Sequence, residues 1–339
     1  MNTINIGIVG LGRLGKRHAL NLAQRVPGAR IVAACSPVAD ELGWASQVLP
    51  TASTYTDYAQ LLRHPDLDAV FLVTPTSLHA EQIIAALQAG KHVFCEKPLA
   101  LNMADCLRVE QVAAAFPHQV ATIGFVRRFD PSYRDAFDKI RAGQIGTPYL
   151  LRSQTCDQND PSGFFVRFAE TSGGIFMDCS VHDIDLARWL LGANRAKRVW
   201  ATGTIAIHHG LQAHHDVDNG IAMCEFGSGQ LATFFASRTQ AHGHETATEV
   251  FGTTGRLAIG SNPRKNRVEI SDQHGVRSEC VGDFFERFSD AFLLEAQDFV
   301  NAVLQRRAPV LTLADATEAT RIGLAITEAF RTKQMVTLD

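Results

Sequence analysis

The 339-residue chain contains no apolar run near the ~18 residues of a membrane-spanning helix, which removes an integral membrane role from the expected functions. It also lacks an excess of charge: 32 Lys and Arg stand against 35 Asp and Glu, a formal net charge of -3. The basic residues are scattered, and Arg127-Arg128 and Arg306-Arg307 are isolated pairs, so neither nucleic acid nor an anionic membrane is an expected partner. Seven cysteines (35, 95, 106, 156, 179, 224, 280) include no Cys-x-x-Cys. An odd, widely spaced set fits reduced thiols better than a disulfide framework or a zinc knuckle. Met1-Asn2-Thr3-Ile4 carries no basic segment and no cleavage site, so the expected location is the cytoplasm. Internal repeats and low-complexity segments are absent. His208-His209 and His214-His215, with Asp216 and Asp218, have no helical or knuckle spacing, so they read as a solvated loop and no metal is expected.

What the chain does have is Gly10-Leu11-Gly12-Arg13-Leu14-Gly15, directly after the apolar run Ile4 to Val9 and directly before a helical pattern. A strand ends there and a helix begins. First-turn N–H groups lack intrahelical partners and the helix dipole adds partial positive charge, so such a junction holds a pyrophosphate by backbone alone. Gly10 suits the tight turn, Gly12 removes a Cβ that would block the ligand, and Gly15 lets the helix pack closely on the strand. Opening a βαβ pattern, the motif points to a dinucleotide site.

Leu14, His18, Leu22 and Val26 keep helical spacing until Pro27-Gly28, and a strand from Arg30 to Cys35 follows. The residue closing that strand normally reads the adenosine ribose, an acid there accepting from both hydroxyls. Here it is Ser36, and the nearest carboxylates are Asp40 and Glu41. The usual signal for NAD is missing, yet no basic residue replaces it to take a 2′-phosphate, although Arg13 lies in the loop. The balance favours NAD and leaves NADP open.

The pattern continues with helices Glu41 to Leu49 and Asp57 to Arg63, strand Ala69 to Thr74, helix His79 to Ala89, strand His92 to Cys95, helix Met103 to Ala115 and strand Val120 to Phe125. This alternation over ~120 residues predicts an α/β fold with a doubly wound parallel sheet. Ligands of such sheets sit at the carboxyl ends of the strands, which brings Thr74-Pro75 with His79, and Glu96-Lys97-Pro98, to the cofactor.

The length favours two domains, and the character changes near residue 125: a dinucleotide domain over 1–124, then a substrate-binding and oligomerisation domain over 125–339. After a helix to Arg141 come β-type runs near 148–156, 197–207, 217–226, 230–238, 247–252, 255–260, 266–271 and 276–281. They predict an α+β domain with a large, open, mostly antiparallel sheet, covered on one face by helices at 175–191, 285–306 and 315–332. In Leu231 to Ala236 apolar groups fall on both faces, so the open face is expected to pack against another subunit.

Within the helix 175–191, Asp178 and His182 are four apart and share one face. That pairing suits alcohol oxidation: hydride removal from a carbinol carbon needs a base for the hydroxyl proton, and an imidazole, ordinarily of pKa near ~6.5, serves. Asp178 would hold an adjacent hydroxyl and Lys97 donate to the reacting oxygen; the bland alternative is an exposed helix pair. Asp183 and Asp185 read as solvated or structural partners. Asp157 and Asn159, in the run Ser153 to Pro161, suit ring hydroxyls, the alternative being a loop with Asx-turns.

Gly10 to Gly15, Thr74-Pro75 with His79, Glu96-Lys97-Pro98, Gly124-Phe125-Val126-Arg127-Arg128-Phe129-Asp130 and Asp178-x-x-x-His182-x-x-Asp185 resemble, in order and spacing, the Gfo/Idh/MocA oxidoreductases. The late run Arg287 to Phe299 is similar to that of the family's inositol dehydrogenases. The resemblance implies a catalytic trio of Lys97, Asp178 and His182. It places Arg127 at the junction of cofactor and polyol, and implies a homo-oligomer, a tetramer, built through the open sheet. It further implies NAD-dependent oxidation of an inositol ring hydroxyl to a ketone, scyllo-inositol favoured over myo-inositol because the run from Ser153 departs from a His-Arg-Asn pattern. The alternatives are another sugar dehydrogenase or a catalytically silent NAD(H) sensor.

Overall fold

Residues Ile4–Val9 form β1, a central strand of a six-stranded sheet. The structure, a computed structural model, describes residues 3–193 and 195–338; Met1 and Asn2, part of the start read above for targeting signals, lie outside the described residues. The chain divides into two compact units, 1–126 with 290–320, and 127–289 with 321–339.

In the first unit, β1 leads to α1 (Arg13–Gln24), β2 (Ala29–Cys35), α2 (Ala39–Val48), β3 (Ser53–Tyr55), α3 (Tyr58–Leu62), β4 (Ala69–Leu72), α4 (His79–Gln88), β5 (His92–Glu96), α5 (Met103–Ala114) and β6 (Ala121–Gly124). The order β3-β2-β1-β4-β5-β6, with every pairing parallel, is the doubly wound sheet expected. Strands covered on both faces need apolar residues at every position, and all four residues of β4 are buried. The winding reverses between β1 and β4, so the crevice for a ligand lies at the carboxyl ends of those strands.

The second unit contains α6 (Pro131–Arg141), β7 (Pro148–Gln158), α7 (Phe164–Ser172), α8 (Val181–Leu191), β8 (Ala196–Thr204), β9 (Asn219–Phe226), β10 (Leu231–Gln240), β11 (Glu245–Gly252), β12 (Gly255–Ile259), the hairpin β13 (Ile270–Asp272) and β14 (Gly275–Arg277), and α9 (Phe284–Arg287). After α10 (Ser289–Gln305) and α11 (Leu313–Thr332), β15 (Val336–Thr337) joins β8. The seven-stranded order β12-β11-β7-β10-β9-β8-β15 is antiparallel except at β7 and β10. The runs at 266–271 and 276–281 are not part of it; they yield the separate hairpin.

One helix packs elsewhere than expected. From Asp290 onward α10 belongs to the first unit, where Ala296, Phe299, Val300 and Ala302 join a core with Ile6, Ile8, Phe71 and Phe94. Phe71 and Phe94 stack at 3.9 Å, and Phe299 meets both edge-on at 6.0 Å. Helical periodicity shows that a face is buried, not which sheet buries it.

Inside that core sits Glu295, with no hydrogen-bond partner at either carboxylate oxygen among the described residues. Burial first, then Glu96 and Asp298, push its carboxyl well above the usual value of 4.5. The folded chain keeps the proton where the unfolded chain releases it. Stability from this group is therefore complete below that value and falls as pH rises above it, by about 1.4 kcal/mol per pH unit until the folded value is reached. Glu295→Gln should flatten the decline in a denaturant-unfolding series across pH; an unchanged slope would contradict the assignment.

Candidate active site

The glycine turn behaves as its residues dictate. Gly10 has φ +85°, and a Cβ there would lie 2.3 Å from the Val73 carbonyl oxygen. At Gly15 a Cβ would meet the Gly10 carbonyl oxygen at 2.0 Å, so both positions exclude any side chain. Gly12 differs: beyond its chain neighbours, the only atom of the described residues within 4 Å of its absent Cβ is Glu41 Oε1, at 3.9 Å. Gly12 is also the N-cap of α1, which has no side-chain cap and no acidic residue in its first turn, with Arg13 and Leu14 beginning the helix. Such a helix end suits an anion. The strand ends are tied around this turn, Gly10 N donating to Cys35 O (2.9 Å) and Val73 N to Val9 O (2.8 Å).

Ser36 closes β2 as expected, and it is buried. Its hydroxyl accepts from Val38 N at 3.1 Å and donates to Glu41 Oε2 at 2.5 Å. Thr74 donates to Gln82 Oε1 (2.6 Å), and Pro75 is exposed. His79 is buried between the carbonyl oxygens of Pro98 (2.8 Å, from Nδ1) and Thr74 (2.9 Å, from Nε2); burial lowers its pKa against the pull of those carbonyls. Its ring thus links the two strand ends expected at the cofactor. Glu96 is buried as well, Oε1 bound to His18 Nε2 at 2.7 Å and Oε2 accepting from Lys97 N at 3.2 Å. Lys97 is half-buried at the end of β5.

In the second unit the helix read over 175–191 is two segments: a π-helical turn, Phe176–Ser180, and then α8. Asp178 lies in the turn and His182 in the first turn of α8, so the four-residue spacing does not rest on one regular helix. A π turn is a frequent device at functional sites. From Gly174 to Ala187 every residue is buried except Asp178 and His182. Asp178 Oδ2 accepts from Arg238 Nη2 at 3.1 Å, and Cys179 Sγ lies 3.7 Å from both Asp178 Oδ2 and Asp157 Oδ2. The structure therefore brings Asp157 and Asp178 together. Asp157 is on β7, not in a loop, and its Oδ1 meets His244 Nδ1 at 3.0 Å. Asn159 follows the strand with its Oδ1 buried and without a protein partner among the described residues, and the Asx-turn forms one residue on, at Asp160 to Ser162.

Arg127 is buried and engaged within the unit, Nη1 donating to Asp183 Oδ1 (2.8 Å) and Nη2 to Thr155 Oγ1 (2.7 Å). Asp183 also accepts from Ser153 and Thr155, each at 2.6 Å. Arg128 holds Asp185 through two hydrogen bonds, 2.8 and 2.6 Å. Asp183 and Asp185 are thus buried structural partners and not solvated ones.

Family models described as "oxidoreductase family, NAD-binding Rossmann fold" and "GFO/IDH/MocA C-terminal domain" match residues 4–123 and 133–258. The scyllo-inositol 2-dehydrogenase (NAD(+)) of Bacillus subtilis is 38% identical over 336 residues, 99% of this chain and 96% of that protein. The chain belongs to the Gfo/Idh/MocA oxidoreductases. Two solved members of the family are similar throughout. One is the scyllo-inositol dehydrogenase of Lactobacillus casei with bound NAD(H) and scyllo-inositol, 40% identical, TM-score 0.95, covering 99% of both chains. The other is the myo-inositol 2-dehydrogenase of Lactobacillus plantarum, 35% identical, TM-score 0.96, covering 100% of both.

The cofactor of this Gfo/Idh/MocA oxidoreductase is NAD, and the open position at Gly12 beside the N-terminus of α1, which has no side-chain cap, fits its pyrophosphate. Sequence reasoning gave no role to three residues of this oxidoreductase. Arg238, fully buried on β10, pairs with Asp178 and with Asp216 (3.2 Å). His244 faces Asp157, and Glu41 reaches the glycine turn. A lone Arg in an apolar strand run was the available signal for the first. The histidine and aspartate cluster read as a solvated loop is instead structural: buried Asp218 accepts from the backbone N–H groups of Ala206, Ile207 and His208 at 2.7 to 2.9 Å.

Proposed function

We propose that this oxidoreductase converts a ring hydroxyl of an inositol to the ketone, an inosose, with NAD, and prefers scyllo-inositol to myo-inositol. The single observation that carries the reading is the partial exposure of Asp178 and His182, and of no other residue between Gly174 and Ala187. A buried segment that presents one carboxylate and one imidazole has the pair that alcohol oxidation needs. The dehydrogenase relatives named above support the substrate class, and the scyllo-inositol enzymes among them support the isomer.

In this reading His182 takes the hydroxyl proton, Lys97 donates to the reacting oxygen, and Asp178 holds a neighbouring hydroxyl. Bound NAD supplies the hydride acceptor, C4 of its nicotinamide. Asp157 and Asn159 take further hydroxyls, Asn159 through an amide oxygen that no protein group satisfies among the described residues. Arg127 serves the site through Asp183, the neighbour of His182. Most of the acceleration comes from aligning the carbinol hydrogen. A reduced-nucleotide absorbance assay over inositol isomers and free aldoses should give the highest kcat/KM with scyllo-inositol. Preference for an aldose, or no turnover at all, would overturn the assignment.

We also propose a homotetramer built through the open face of the seven-stranded sheet, acting in the cytoplasm. Among the described residues no helix is long and apolar enough to cross a membrane. Trp200, Ile221 and Met223 are 40%, 49% and 51% exposed on adjacent strands, Trp200 opposite Met223 and Ile221 opposite Phe235. Such a patch marks an association surface. Met223→Glu should lower the mass found by size exclusion with light scattering; an unchanged mass would contradict this face as the interface.

A further inference from the structure

The ribose-reading acid that β2 lacks is supplied from the next helix. We propose that Glu41 is the residue through which this oxidoreductase recognises the adenosine ribose diol of NAD(H) and rejects NADP(H). Ser36 is too short to reach two hydroxyls, but it is buried at the strand end and its hydroxyl is fixed on both sides, by Val38 N–H and by Glu41 Oε2. That hydrogen bond occupies one carboxylate oxygen of Glu41. The other, Oε1, is the atom that borders the open position at Gly12. The anion-binding end of α1 and a half-buried carboxylate therefore share one space, as a pyrophosphate and its adjoining ribose require. Asp40, the neighbouring acid, is exposed.

A carboxylate oxygen there accepts from ribose hydroxyls, whereas a 2′-phosphate, carrying close to two negative charges near neutral pH, meets a like charge. The preference for NAD thus rests on a position five residues beyond the usual one. A local reading also exists, in which Glu41 only favours the α2 N-terminus, as an acid in a first turn does. The two differ in what the charge controls.

The test is direct titration of the substrate-free protein with NADH and NADPH, followed by nicotinamide fluorescence, so it does not depend on which polyol is oxidised. Glu41→Gln keeps the length and the partner of Ser36 while removing the charge. It should weaken NADH binding roughly 10-fold and strengthen NADPH binding, shifting the ratio of dissociation constants toward NADPH by ~10- to 100-fold. Ser36→Ala, which frees the carboxylate without removing it, should weaken NADH binding by a smaller factor and leave NADPH disfavoured. Equal loss of both nucleotides in Glu41→Gln, or an unchanged ratio with an unaltered melting curve, would overturn the proposal.

Discussion

Replacing His182 by alanine is expected to lower turnover roughly 10²- to 10⁴-fold, the usual worth of a positioned general base, while NADH binding stays close to that of the unaltered protein. Lys97→Ala should lose activity on a similar scale, because the proposed donor to the reacting oxygen disappears. Both side chains are partly exposed, Lys97 at the end of β5 and His182 in the first turn of α8, so neither truncation opens a cavity in a core. The melting curves should therefore move little. Steady-state kinetics beside nucleotide titration separates the outcomes: near-normal turnover in either variant would contradict the assigned roles.

Asp183→Ala should cost about 3–5 kcal/mol of stability, the usual penalty for removing one member of a buried ion pair. Its carboxylate accepts from Arg127, Ser153 and Thr155, and all four side chains are buried. Deleting it leaves the Arg127 charge buried without its carboxylate and takes from Ser153 and Thr155 the acceptor they share. The double variant Arg127→Met with Asp183→Leu should recover much of the loss, since an apolar pair of similar size leaves no buried charge unpaired. Denaturant unfolding of the three proteins measures this. A single-variant loss under about 1 kcal/mol would show that the network is not what seats α8 on β7.

Much of the first unit was legible because its signals are local. The apolar run Ile4–Val9, the glycines, and strands alternating with helices each report on a few adjacent residues, and a doubly wound parallel sheet followed. Gly10, Gly12 and Gly15 could be given separate roles because backbone sterics depends on the absence of a single atom. The partner of α10 was not legible, since Phe299 would present the same periodicity to either sheet. The π turn at Phe176–Ser180 was hidden for a related reason: a helix with one wider turn keeps nearly the same apolar pattern.

Buried polar residues were the least readable. Arg127 and Arg238 are charged groups that pair with residues 56, 60 and 22 positions away, and no local pattern records such a partner. Glu41 shows the same limit at short range. Its place in the sequence identified an acid near β2, but only the Ser36 hydrogen bond shows where the carboxylate is held.

The most direct measurement of the central claim is a label transfer. Scyllo-inositol carrying deuterium on its ring carbons, mixed with the protein and NAD, should give reduced nucleotide whose C4 carries the deuterium, together with one equivalent of the ketone by mass spectrometry. Reduced nucleotide without the label, or a saturated nucleotide complex that yields neither product, would contradict it.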